Sequence, residues 1–282
     1  MKKIISLAIV AVMLICALFS FAACGSGIKI GVQAGTTGEY FVNGDKGWGF
    51  DGLEGYEAAG YSNGGLAVAD MKNGNVKYVI IDKAPALQLD KAIEGIKVIN
   101  YDLTEETYAF GVDQNQTELL TAINTILATK EAEVKAIIDK YAQGKDLVGI
   151  TSATKDLSKA DKQLVVATNA AFAPFEYKEG NKFYGIDMEI MALVASELGL
   201  ELVIEDMEFE SVVTSVGKNG VDVAAAGLSV NEERKKSVNF SETYYDAAQV
   251  LVVLDTCVDF DACKSADDVV AKLSELLTQE DQ

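Results

Sequence analysis

Arg234, Ser229, Thr37 and Asp82 are of residue types that suit the capture of a small charged molecule. The guanidinium of Arg234, in the run NEERKK, is a planar fork that can grip a carboxylate through two parallel hydrogen bonds. Ser229 and the backbone around Gly227 can add donors to one carboxylate oxygen. Thr37 lies inside Gly-Thr-Thr-Gly at a helix entry, where its hydroxyl and N–H meet the end of the helix dipole that favours an anion. Asp82 ends an apolar stretch and can receive an ammonium. Taken singly these residues have plainer uses. An arginine in a charged run is a solvated helix residue, and an aspartate after a strand caps the next helix. Taken together they complement a molecule that carries a carboxylate and an ammonium close to each other.

Composition removes most rival chemistries. The 282 residues include no histidine, which takes away Ser-His-Asp and Cys-His catalysis, the ordinary zinc sites and the commonest general base near neutral pH. The four cysteines lack CxxC spacing, so neither a redox motif nor a metal site is implied, and no cofactor is called for. Net charge is −19, with 43 acidic against 24 basic residues, leaving no basic surplus to displace phosphate counterions. Nucleic acid is therefore no partner, and an anionic membrane would repel the chain unless it carried an anchor. A lyase or dehydratase would instead use a cleft glutamate, Glu39 or Glu176, as general acid. A sensor would need an output domain or a membrane span.

The elements that must position these residues follow from periodicity. Short apolar runs predict strands at Ile28–Gln33, Val76–Ile81, Leu164–Thr168, Leu202–Glu205, Val221–Ala226 and Gln249–Leu254. Helical spacing appears over Thr117–Leu127, Glu131–Tyr141, Met188–Leu198 and Ala266–Leu277. Residues 145–162 are polar and aperiodic and read as a linker. Strands alternating with helices predict α/β lobes with mainly parallel sheets.

The N-terminus reads as an address. Lys2 and Lys3, the apolar run Ile4–Phe19 and the small pair Ala22-Ala23 form an export signal over residues 1–23. Cys24 follows at once, and the arrangement resembles a bacterial lipobox with Phe21 in place of the usual leucine. That resemblance implies lipidation at Cys24, a membrane anchor and an extracellular location. Cys16 belongs to the signal. Cys257 and Cys263, six residues apart, are candidates for a small disulfide in an exported protein.

The stretches LVVATNAAFAPFEY, GIDMEIMALVASELG, VDVAAAGLSVNEERKKSVNFS and ETYYDAAQVLVV run in order through residues 163–253. They resemble the first lobe of the polar amino-acid solute-binding proteins of ABC importers, closest to the glutamine-binding type. IKIGVQAGTTGEY and VIIDKAPA resemble the second lobe of the same family. The resemblance implies a two-lobe periplasmic-binding-protein type II fold, a free amino acid as ligand, importer membrane subunits as partners, a monomer and no catalysis. It also implies that Arg234, Ser229, Gly227, Thr37 and Asp82 hold the ligand's α-groups. Phe172 and Phe209 would wall its side chain, while Phe175 and Tyr177 pack the core. Asn169 stands where family members that bind cationic side chains carry an acid, so a neutral partner such as glutamine is implied, with Gln33 and Glu39 also near the cleft.

The order of the motifs is reversed relative to that family. The GTTG lobe comes before the FAPFEY lobe, and the helix that should lead into IKIGVQ stands at Ser265–Leu277. This looks like a circular permutation, with the 145–162 linker joining the former ends. It divides the chain into one continuous lobe (103–246) and one split lobe (24–102 plus 247–282). The crossings between lobes are then expected near Asp102–Thr104 and Asp246–Gln249.

Overall fold

A computed structural model describes residues 27–280. The expected export signal at residues 1–23, with Cys16, and the expected lipidation site Cys24 lie outside the described residues. The chain runs β1 (Ile28–Gln33), α1 (Thr37–Asn43), β2 (Tyr56–Tyr61), α2 (Gly64–Lys72), β3 (Tyr78–Asp82), α3 (Lys83–Ala92), β4 (Ile96–Ile99), β5 (Glu106–Tyr108), β6 (Gly111–Asp113), α4 (Thr117–Thr129) and α5 (Glu131–Gln143). It continues through β7 (Gln163–Thr168), β8 (Ala171–Phe172), β9 (Glu176–Glu179), β10 (Lys182–Tyr184), α6 (Ile186–Leu198), β11 (Glu201–Asp206) and α7 (Phe209–Ser215). Then come β12 (Val223–Ala224), β13 (Val238–Phe240), β14 (Tyr245–Ala247), β15 (Gln249–Leu254) and α8 (Ala266–Glu280).

Two five-stranded sheets form two α/β lobes. One has the order β2-β1-β3-β15-β4 and the other β11-β7-β12-β6-β13. The sheets are mixed, not mainly parallel. In the first, β1 runs parallel to β2 and β3, while β15 runs antiparallel to β3 and β4. In the second, β7 is parallel to β11 and β12, and β6 is antiparallel to β12 and β13. The cause is the path of the chain. β6 and β15 each follow directly on a strand that has just crossed from the other lobe, β5 or β14, and so enter their sheets from the opposite end. The crossing strands pair antiparallel with each other, with Tyr245 facing Tyr108.

Residues of β3 and β7 are buried along their whole length, as continuous apolar strands covered on both faces must be. One apolar cluster joins the facing sides of the two sheets through Tyr108, Phe110 and Phe175. The outer faces are closed separately. Val269 and Leu273 of α8 cover β1 and β15, and Val212 of α7 covers β7 and β12. The helix at the far end of the chain thus packs on the first strand, and Tyr56 Oη donates to Leu273 O at 2.8 Å.

The linker is irregular but fastened. Ile150 exchanges backbone hydrogen bonds with Phe183 at 2.7 and 2.9 Å, and Lys155 pairs with Glu205 at 2.8 Å. A 3-10 turn at Leu157–Lys162 leads into β7. Cys257 and Cys263 are both free thiols, so the disulfide expected from export is not formed. Instead Cys257 Sγ faces Asp259 Oδ2 at 3.6 Å, and Cys263 offers its carbonyl to Tyr101 Oη at 2.8 Å.

Because Leu273 is fully buried under β1 and β15, Leu273→Ala should lower unfolding stability by about 2–5 kcal/mol in urea titrations. A change under about 0.5 kcal/mol, the size of a surface substitution, would show that α8 is not part of the lobe core.

Candidate ligand-binding cleft

Arg234 is the only arginine in the sequence. It opens a 3-10 turn whose first N–H, its own, donates to Asn231 Oδ1 at 2.8 Å. The residue is 8% exposed, and its guanidinium donates to two backbone carbonyls, Ser229 O at 2.9 Å and Gly35 O at 3.2 Å. Its flat faces lie against Trp48 and Phe209, with ring centroids 5.0 and 5.3 Å from Cζ. Trp48 stacks in turn on Tyr40 at 4.0 Å. Gly35 belongs to one lobe and Ser229 to the other, so the fork bridges the two. Burial pulls the guanidinium down to about 10, with Glu106 and Asp82 pulling it back up. Among the described residues no carboxylate lies within ion-pairing distance of it.

Asp82 ends the buried strand β3 and is 5% exposed. The hydroxyl of Tyr108, a residue of the crossing strand β5, donates to its Oδ1. Burial, seconded by Glu106, raises the Asp82 carboxyl to about 7, while hydrogen bonds from Tyr108 and Gln249 hold it from rising further. Thr37 and Ser229 face each other across the lobes with hydroxyl oxygens 3.5 Å apart. Both hydroxyls donate to Glu106 Oε2 at 2.5 Å. Glu106 Oε1 accepts from Thr104 Oγ1 at 2.6 Å and Gln249 Nε2 at 3.1 Å. Glu106 thus gathers Thr37, Ser229, Thr104 and Gln249 into one hydrogen-bonded group, while Asp82 and Arg234 stand on either side of it and border different cavities.

The other expected residues divide. Gln33 Nε2 donates to Asn169 Oδ1 at 3.0 Å, closing the lobes on each other, and Asn169 Nδ2 donates to Met207 O at 2.8 Å. Gln33 keeps its own Oε1 buried without a partner. The Gly227 N–H is not a free donor, because it is taken by Asp187 Oδ2 at 2.9 Å. Gly227 serves through its lack of a side chain. Its φ is +54°, and a Cβ there would sit 2.9 Å from Phe172 Cε1. Phe172 and Phe209 do not wall one space. Phe209 borders a cavity of about 300 Å³ with Arg234, Trp48 and Tyr40, whereas Phe172 borders one of about 360 Å³ with Ile81 and Pro85. Thr37 and Ser229 open on a third cavity of about 610 Å³, and Asp82 on a fourth of about 310 Å³. The closed lobes partition the cleft around the Glu106–Tyr108 strand. Phe175 is fully buried in the core and Tyr177 stacks on Tyr184 at 5.6 Å, the packing roles assigned to both.

The two candidate acids are held differently. Glu39 Oε2 accepts the Gly35 N–H at 2.7 Å. Glu176 is fully buried, lines none of these four cavities, and has neither carboxyl oxygen hydrogen-bonded. Burial pushes it well above the usual range, and Asp187 and Asp82 add to the shift. Sequence reasoning missed Glu106, Tyr108, Trp48 and Gln249. Their only signal is position, three of them at or beside the expected crossings and Trp48 in a Gly-rich excursion.

Residues 164–279 match the profile of the bacterial extracellular solute-binding proteins, family 3. That stretch carries Ser229, Arg234 and the strands around them, and the whole has two α/β lobes with mixed sheets. The chain is similar to the arginine-binding extracellular protein ArtP of Bacillus subtilis (strain 168), 36% identical over 106 residues that make up 38% of this chain and 42% of that protein. It is also similar to the arginine-binding protein ArgT of Corynebacterium glutamicum, 29% identical over 87 residues, 30% of this chain and 29% of that protein. The chain spans less than half the length of these curated relatives. Among solved structures, the arginine-bound form of domain 1 from TmArgBP is 27% identical, with 45% of this chain and 99% of that chain covered and a TM-score of 0.30.

The buried acids set a pH dependence. Asp82 and Asp187, both raised to about 7 by burial, hold protons in the folded chain that the unfolded chain has already lost above pH 4. Their contribution is therefore complete below about pH 4 and is lost as pH rises through 7. The melting temperature of the unliganded protein should fall between pH 5 and pH 8, and the Asp82→Asn/Asp187→Asn double variant should flatten that slope. An unchanged slope in thermal melts of the double variant would refute this origin.

Proposed function

We propose that this chain captures a free amino acid for an ABC importer, by hinged closure of two lobes over the ligand. The observation that carries the reading is Arg234. A guanidinium buried against two aromatic rings, and bonded among the described residues only to carbonyls, would be completed by a ligand's carboxylate, to which the hydroxyls of Thr37 and Ser229 would add donors. Asp82, buried and without a cationic partner among the described residues, suits the ammonium of the same molecule. The match of residues 164–279 and the amino-acid-binding relatives support this assignment. The reading involves no catalysis and no cofactor. It places the mature protein outside the cell as a monomer, held to the membrane through a lipid on Cys24.

For the side chain of the ligand we favour a neutral polar group such as that of glutamine, since Gln33 and Asn169 present amides, not charges, at the closing contact. A cationic side chain is the second reading. It draws on relatives named as arginine-binding and on Asp102, Glu105, Glu106 and Asp246 around the 610 Å³ cavity. A thermal-shift screen of the twenty amino acids separates the two, because a ligand stabilises in proportion to its occupancy of the folded state. Glutamine should give the largest shift, a largest shift with arginine or histidine would select the second reading, and no shift with any would end the proposal. Arg234→Lys, which keeps the charge but loses the fork, should weaken calorimetric binding at least tenfold, about 1.4 kcal/mol. Unchanged affinity would remove Arg234 from the site.

We further propose that residues 24–102 with 247–282 form one lobe, that 103–246 form the other, and that this order is a circular permutation. β1 and β15, at opposite ends of the chain, share a sheet. Ile28 N donates to Gly55 O at 3.1 Å, and a Cβ on Gly55 would sit 2.7 Å from Leu277, so the end of α8 adjoins the start of β1. Joining residue 282 to residue 27 and reopening the chain within 145–162 should leave circular dichroism and amino-acid affinity as they were. A reordered chain that is unfolded or inactive would count against the permutation.

A further inference from the structure

Glu106 does inside this protein what a ligand's carboxylate would do. Its Oε2 takes the hydroxyl hydrogens of Thr37 and Ser229, one from each lobe, at 2.5 Å each. Those are the two hydroxyls that the amino-acid reading assigns to the ligand's carboxylate, and the present inference rests on that reading. Its other oxygen is held by Thr104 and Gln249 at the crossings. No lysine or arginine pairs with it among the described residues, although Glu106 is the foremost charge supporting Arg234. The residue is only half-buried and borders the 610 Å³ cavity, so the side chain has space into which it can turn.

We infer that Glu106 is a ligand-mimicking latch: its carboxylate occupies the Thr37 and Ser229 hydroxyls in the empty protein, holds the lobes together, and must be displaced before the carboxylate of an amino acid can bind. Two anions cannot share the same two hydroxyl hydrogens, so binding exchanges one set of charge-assisted hydrogen bonds for another and gains less than it would in a vacant site. The latch thereby lowers affinity. It also raises selectivity, because a molecule without a carboxylate cannot replace what Glu106 supplies.

The test uses Glu106→Ala, with Glu106→Gln as the isosteric variant should the alanine fail to fold. Calorimetry with the best amino acid from the screen should show at least fivefold tighter binding by Glu106→Ala, and an intermediate gain by Glu106→Gln. Solution scattering of the unliganded proteins should show a larger radius of gyration for the variants than for the parent. If the parent binds and the variants bind equally or more weakly, Glu106 is no competitor and the inference is overturned. If only the variants bind an amino acid, the latch is upheld in its strongest form. If neither binds, the amino-acid reading fails, and the latch then stands or falls on whether the variants expand.

Discussion

A buried guanidinium without an acidic neighbour in contact is the constraint around which the closed lobes are arranged. Taking a cation out of water costs several kcal/mol unless its hydrogens are bonded and its charge is answered. Here the hydrogens go to carbonyls from both lobes, Ser229 and Gly35, and the two faces of the plane lie on Trp48 and Phe209. Lysine could not fill the place, since its compact ammonium has no plane to stack and no fork to divide between two carbonyls. The sequence has 24 basic residues and a single arginine, and that arginine occupies this position. The foremost charge that answers it, Glu106, acts across a distance and not by contact.

Closure follows from how the chain crosses between lobes. β5 and β14 run side by side, and the strand after each enters a sheet antiparallel to its neighbours. This puts Tyr108 at the centre of the molecule, fully buried, edge-on to Phe175 at 5.0 Å and stacked with Tyr245 at 5.9 Å. Its hydroxyl reaches Asp82 in one lobe while its ring touches the Gly227 turn of the other. Behind it lies a group of acids, Glu176, Asp187 and Asp82, whose burial keeps them protonated over much of the range in which surface carboxylates are charged. Asp187 fixes the turn by accepting the Gly227 N–H and the Tyr244 hydroxyl.

Much of the fold was legible in the residues. The apolar runs that predicted β1, β3, β7, β11 and β15, and the spacing that predicted α4, α5, α6 and α8, correspond to observed elements within a few residues. Val221–Ala226 is a strand only over Val223–Ala224, β12, although the N–H groups of Asp222 and Ala225 on either side still donate to Val165 O and Ala167 O of β7. β5, β6, β13 and β14 were not read, since three-residue strands at a crossing carry no period to detect. β2, with glycine and alternating exposure, and α3, with a proline in its first turn, gave similarly weak signals.

The sequence by itself determined the kinds of group available: one fork, hydroxyls near glycine-rich turns, an acid at the end of an apolar strand, and no histidine. These are matters of residue type and local periodicity, which a chain displays without folding. Only the tertiary structure decided which groups meet. It set Glu106 on the hydroxyls of Thr37 and Ser229, gave the Gly227 N–H to Asp187, parted Phe172 from Phe209, and left Cys257 and Cys263 unbridged. Such pairings join residues far apart in the chain, 199 positions in the contact between Gly35 and Arg234, and depend on the angle at which two lobes close. No local pattern encodes that angle, because it is set by the packing of both cores at once.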